Sequence, residues 1–129
     1  MTDFSDSLSV SASGLKAQAM RLRILSENIA NSDTPGYRRK TIPFEMQTDM
    51  RDRTLVQTGD VNLDRSELPE VFDPAHPLAN AEGIYEGSNV DLIIEIADAR
   101  EAQRSYEANL KMFEQARNMS SSLMDLLRR

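Results

Sequence analysis

The sequence contains no cysteine and no tryptophan, one histidine, and only four phenylalanines and three tyrosines among 129 residues. Without cysteine there are no disulfides, thiolate zinc sites or thiol nucleophiles. The single His76 rules out a multi-histidine metal site within one chain. Seven aromatics are a thin supply for a compact core. No apolar run approaches the ~20 residues that span a bilayer, and the mean hydropathy is −0.50. Basic residues are in deficit, with 15 Lys and Arg against 21 Asp and Glu and a net charge of −6. A general nucleic-acid binder is disfavoured, because phosphate contacts need a basic surface. The opening stretch Met1 to Ser7 has neither a positive n-region nor an apolar h-region. It does not read as a cleavable signal peptide.

What is present is unevenly placed. All five prolines lie between Pro35 and Pro77, and Gly36, Gly59, Gly83 and Gly87 fall in the same middle region or just beyond it. Residues 1–40 carry six basic against four acidic side chains, residues 41–91 three against eleven, and residues 92–129 six against six. The chain therefore divides into an N-terminal helix with its turn (1–40), an acidic irregular or β-hairpin insert (41–87) and a long C-terminal helix (88–129). The predicted fold is mainly α: two long terminal helices packed as a coiled-coil-like hairpin around a small β-containing insert.

In the first flank Leu8, Leu15, Leu22 and Ile29 recur every seven residues, and Leu25 adds an intermediate step. This spacing predicts an amphipathic helix of about 28 residues. Gly14 costs roughly 1 kcal/mol relative to Ala there, but small neighbours let a partner helix come close. In the second flank Ser88 or Asn89 is the expected cap, with Asp91 and Glu95 at the positive end of the dipole. Leu92, Ile96, Ala99, Tyr106, Leu110, Phe113, Leu123 and Leu127 follow as its stripe. About 40 helical residues are expected, roughly 18 Å longer than the first helix. That excess leaves the face from Phe113 to Leu127 without an intramolecular partner, which points to association. Both stripes are the candidate assembly interface, and a heterologous contact that does not close builds a filament.

Between the flanks, Thr54–Thr58 and Val61–Leu63 read as a hairpin turning on Gly59-Asp60, and Leu68–Phe72 as an edge strand. At the end of the first helix the turn motif comprises Asn28, Asn31, Thr34, Pro35, Gly36 and Tyr37. Asn31 is the expected left-handed terminator, and Thr34-Pro35-Gly36-Tyr37 fits a type II turn. Arg38-Arg39-Lys40 reads as an anionic contact, for instance with a neighbour's acidic insert, or as a solvated turn. The acidic residues of the insert match no EF-hand loop. His76 has no nucleophile or ligand pattern around it and reads as structural. No phosphate loop, nucleophile elbow or pKa-raising pocket is legible, so neither a catalytic residue nor a cofactor is expected.

The stretch from Asn28 to Tyr37 resembles the N-terminal signature of bacterial flagellar rod and hook proteins. Asp73 to Gly83, Asn89-Val90-Asp91-Leu92 and Ala99 to Asn109 are similar to the proximal-rod members of that family. Ile84 and Ser88 depart from residues common there. The resemblance implies a structural subunit of the proximal rod that transmits torque from motor to hook. It further implies packing of terminal helices around an export channel and passage through the flagellar type III export apparatus. Other rod proteins and basal ring components would be its partners, and the periplasm its site of assembly. The competing expectations are another flagellar rod protein or a soluble helical export chaperone or adaptor. An enzyme would need a convergent polar pocket.

Overall fold

The computed structural model describes residues 2–129. Its elements in chain order are α1 (Thr2–Ala30), β1 (Lys40–Thr41), β2 (Phe44–Thr48), β3 (Thr54–Thr58), β4 (Asn62–Leu63), β5 (Glu70–Phe72), β6 (Ile84–Glu86) and α2 (Leu92–Leu127). Two long helices enclosing a small β-containing middle is the predicted class. Proline-free flanks sustain 29 and 36 helical residues. The lengths differ by about 10 Å, rather than the 18 Å anticipated from spacing.

The helices run antiparallel. Asn28 lies opposite Glu95, with a hydrogen bond of 3.2 Å. Arg21 reaches Glu101 at 3.8 Å. A Cβ built on Gly14 would sit 3.2 Å from Asn109 Nδ2, so this glycine lets the backbones close. The partner helix anticipated from the small residues around Gly14 is thus the chain's own α2. The same step brings the first residues of α1 opposite the stretch just before Leu123, so the overhang is a short tail.

Burial is sparse. Among the described residues Ala17, Ile24, Leu25 and Ala102 are the buried apolar ones, while the largest fully buried side chains are Glu95 and Asn28. A core of this size contributes only a few kcal/mol at about 1.5–3 kcal/mol per large apolar side chain. Polar fastening carries correspondingly more of the specificity.

The middle segment forms three two-stranded antiparallel sheets, β1–β4, β2–β3 and β5–β6. Here the predicted hairpin is corrected. Thr54–Thr58 pairs back with Phe44–Thr48, Phe44 opposite Thr58 and Thr48 opposite Thr54. Asn62–Leu63 pairs instead with Lys40–Thr41. The reason is turn chemistry. Gly59 does not adopt a positive φ, whereas Asp52 does at 59°. Asp49 Oδ1 meanwhile accepts the Arg51 and Arg53 amides at 2.9 and 3.0 Å. An Asx-type tip at Asp49–Arg53 therefore closes the hairpin. The hairpin lies across α1, with Val56 N–H donating to Ser13 Oγ at 3.2 Å and Arg53 reaching Asp6 at 3.4 Å. Glu70–Phe72 forms the expected short strand, paired with β6. His76 stacks on Tyr85 with ring centroids 3.9 Å apart, and its Nδ1 accepts the Leu78 amide at 3.1 Å.

Candidate assembly interface

The best-ordered polar arrangement sits where α1 ends and α2 begins. Thr34–Tyr37 is a type II turn: Tyr37 N–H donates to Thr34 O at 3.2 Å and Gly36 has φ 76°. The turn sends the Tyr37 hydroxyl back to donate to Asn28 Oδ1 at 2.9 Å. The same oxygen accepts Lys40 N–H at 2.9 Å, and Asn28 Nδ2 donates to Lys40 O at 2.8 Å. Nδ2 also donates to Glu95, whose carboxylate is fully buried and takes the Arg39 Nε–H. Arg39 continues to Asp98 at 3.4 Å. Every hydrogen-bonding position of the buried amide is used, which is what makes burial of Asn28 and Glu95 tolerable.

Asn89 fastens the other side. Its Oδ1 accepts Arg39 N–H at 2.6 Å and its Nδ2 donates to Asp64 O at 3.1 Å. Three sequence expectations change here. Asn31 is not left-handed, since Asp52 alone among the described non-glycine residues has positive φ; its amide instead continues the helix, donating to Glu27 O at 3.1 Å and Asn28 O at 3.2 Å. The cap of α2 is Asp91, accepting the Ile93 and Ile94 amides at 3.1 and 3.4 Å, because Asn89 is engaged at the junction and Ser88 Oγ accepts the Val90 amide instead. The basic triplet turns inward: Arg38 donates to the Asp64 and Ser66 carbonyls, Arg39 to Glu95, and Lys40 to Glu27. Sequence reading placed Glu95 at the helix dipole and missed its pairing with Asn28, which no local pattern signals across the intervening insert.

Electrostatics follow these bonds. The Lys40 ammonium, helped by Arg23, lowers the Glu27 carboxyl. Desolvation raises the Tyr37 phenol. Amide and hydroxyl bonds from Ser66 lower Asp64. At the hairpin tip, the Arg53 side chain holds Asp49 down to about 2 from an ordinary 3.8. Among the described residues no group of three or more His, Cys, Asp or Glu side chains is placed to hold a metal ion. The junction is built to fix geometry.

The sequence-predicted stripe residues are divided between contact and exposure. Leu25 is in the core, and Leu8, Leu15, Leu22 and Ile29 are half-buried along α1. Ala99, Tyr106, Leu110 and Phe113 are half-buried on α2, whereas Leu92, Ile96, Leu123 and Leu127 are exposed. The innermost row of α2 is Glu95, Ala102, Asn109 and Ala116, seven residues apart. Counting large apolar residues alone overlooks it. Phe113, expected in the uncovered tail, is instead half-covered. A row that the stripe omitted, Met112, Met119 and Leu126, is 62%, 51% and 65% exposed. Ile93 and Ile94, at the other end of α2, are also exposed. Neither helix is long and apolar enough to cross a membrane.

Comparison with known proteins assigns these elements to one family. The family model described as flagella basal body rod protein matches residues 8–38, which hold most of α1 and the turn. That described as flagellar basal body rod FlgEFG protein C-terminal matches residues 81–126, which hold β6, Asn89 and nearly all of α2. The flagellar basal-body rod protein FlgC of Agrobacterium fabrum is 41% identical, covering 99% of this chain and 98% of its own. Its counterpart in Bacillus subtilis is 32% identical over 98% and 99%, and that in Escherichia coli O157:H7 is 30% identical over 91% and 92%. With similarity running end to end through both helices and the junction between them, the chain belongs to the FlgC family of flagellar basal-body rod proteins.

Proposed function

We propose that this chain is a non-enzymatic structural subunit of the proximal rod of the flagellar basal body, transmitting torque from motor to hook. Residues 1–40 and 88–129 form the assembling shaft around the export channel, and residues 41–87 lie further out. Its neighbours are copies of itself, other rod proteins and basal ring components. It reaches the periplasmic rod through the type III export apparatus and needs no cofactor. The observation that carries this reading is the apolar face of α2 that the chain cannot cover itself, joined to family membership. Met112, Met119 and Leu126 are 51–65% exposed, so a neighbour covering them would recover roughly 1–2 kcal/mol each. The half-buried Leu8, Leu15, Leu22 and Ile29 belong to the same assembling surface.

The test is incorporation. Leu22→Asp and, separately, Leu126→Asp in a strain lacking the native chain are expected to remove the protein from purified basal bodies and abolish motility. Leu126 is uncovered in the isolated chain, so its variant keeps the monomer fold. Normal basal bodies and motility with Leu126→Asp would remove the α2 face from the assembly.

A further inference from the structure

Every two-stranded ribbon has two outer edges, and the three ribbons of the insert differ in what lies beside them. The strands of β1–β4 and β5–β6 pair over two and three residues, too short to offer a row of backbone groups. β2–β3 pairs over five. Its β3 edge is closed by α1: Val56 N–H leaves the ribbon for Ser13 Oγ at 3.2 Å, and Arg53 reaches Asp6 at 3.4 Å. The β2 edge lies on the other side, and all five residues of β2 are exposed.

The direction of the Val56 amide sets the phase of the ladder. A residue whose N–H points outward belongs to a non-hydrogen-bonded pair, so Met46, opposite Val56, points its own N–H and C=O away from the ribbon. Pair types alternate along the ribbon, so Phe44 and Thr48 do the same, whereas Glu45 and Gln47 bond inward to Gln57 and Leu55. The flanking bonds agree with this phase: Gly59 N–H donates to Pro43 O at 2.9 Å and Asp49 N–H to Arg53 O at 3.0 Å. Among the described residues, no backbone group outside the ribbon bonds the outward groups of Phe44, Met46 and Thr48.

Nothing in the strand blunts that row. Natural edges are protected by lysine, proline, a bulge or a covering element, and Phe44–Thr48 has none of these. Its one charge, Glu45, lies on the opposite ribbon face from Phe44 and Met46. Phe44 and Met46 share their face with Val56, Thr48, Thr54 and Thr58, an uncharged set rich in strand formers, and Met46 is 81% exposed there. Water meets the outward groups in the isolated chain. Among protein partners only extended backbone matches donors and acceptors in strand phase, because a helix has spent its own on itself.

Resting on the rod-subunit reading, we propose that β2 is a docking edge to which an extended segment of a different neighbouring chain adds as a third strand. It bonds the backbone of Phe44, Met46 and Thr48, laying apolar side chains beside Phe44 and Met46 and polar or basic ones beside Glu45. A second copy's β2 is not that segment, since pairing one edge with its own copy makes a two-fold contact that closes instead of propagating. The bonds to α1 hold the ribbon still, so the edge is formed before the partner arrives.

Residue-resolved amide hydrogen exchange, on the isolated chain and on the chain in purified basal bodies, reads the phase directly. Glu45 and Gln47 are expected to be protected in both states. Phe44, Met46 and Thr48 are expected to slow by about a hundredfold or more in basal bodies only. Equal exchange at those three amides in both states overturns the added strand and leaves the rod reading intact, while absence of the chain from basal bodies overturns both. Substitution gives a second arm. Met46→Pro deletes an outward amide and no ladder bond, so the isolated chain is expected to keep its urea midpoint while incorporation falls about tenfold. Met46→Thr keeps the amide and a strand-forming side chain and is expected to incorporate normally. Normal incorporation of Met46→Pro, or equal loss with Met46→Thr, takes the role away from the edge amide and overturns the proposal. A dimer of the isolated chain that Met46→Pro dissolves would put a second β2 on the edge and overturn the separate partner.

Discussion

The two ends of the helical hairpin solve opposite problems. At the junction, where α1 meets the start of α2, nearly every polar group has a partner inside the chain, and Asn28 and Glu95 are sealed from water. Towards the far end, Met119, Leu126 and Leu127 are 51%, 65% and 74% exposed, as is Met112, nearer the middle of α2, at 62%. Apolar side chains are exposed at both ends, Ile93 and Ile94 at the junction among them, so what separates the ends is the hydrogen-bonded joint that only one of them has. Hydrogen bonds are directional and suit an invariant internal joint, whereas apolar burial is non-directional and suits a surface completed by association.

That contrast can be broken from either side. The largest effect is expected from Glu95→Ala, which leaves Arg39 only its longer contact to Asp98 and opens one of the four hydrogen bonds of the buried Asn28 amide. Removing one partner of a buried pair costs about 3–5 kcal/mol, measurable as a lowered urea midpoint of the full chain. A change below about 1 kcal/mol would mean that the junction is not what holds the helices together. Gly36→Val comes next. A built Cβ meets nothing within 4 Å, so the cost is purely that of a β-branched residue at φ 76°, about 1–3 kcal/mol. Faster hydrogen exchange at the Tyr37 amide would report it. Unchanged protection there would rule out any strain at the turn.

At the other end the expectation inverts. Leu126→Asp should move monomer stability by less than about 0.5 kcal/mol, yet abolish concentration-dependent association in sedimentation. Equal loss at both ends would erase the distinction. The smallest effect concerns pH. Asp49 in the folded chain titrates at about 2, below its ordinary 3.8, chiefly because Arg53 bonds its carboxylate. Its contribution is present above the ordinary value and is lost as pH falls from about 4 towards about 2. Acidification across that window should loosen the β2–β3 hairpin, seen as exchange at the Val56 amide. Asp49→Asn should flatten the response.

Seven-residue spacing of Leu8, Leu15, Leu22 and Ile29, and the confinement of proline to the middle, were enough to place two long helices and the turn between them. The type II turn was readable because Pro35 and Gly36 each impose a local φ. What escaped was set by distance along the chain. Asn28 and Glu95 meet across the whole insert, and neither belongs to an apolar pattern, so apolar periodicity passed over the two largest fully buried side chains. The strand pairing was misassigned for a related reason. Gly59-Asp60 looked like a tip, but the Asp49 side chain supplied a better one.

Local chemistry, then, dictated helix extent, the turn and the family signature, because each depends on residues within a few positions of one another. Which heptad rows face inward, what the basic triplet binds and where α2 is left bare were decided only when the helices packed. Those outcomes depend on which groups the fold brings together, and burial makes a paired charge tolerable only once its partner has arrived.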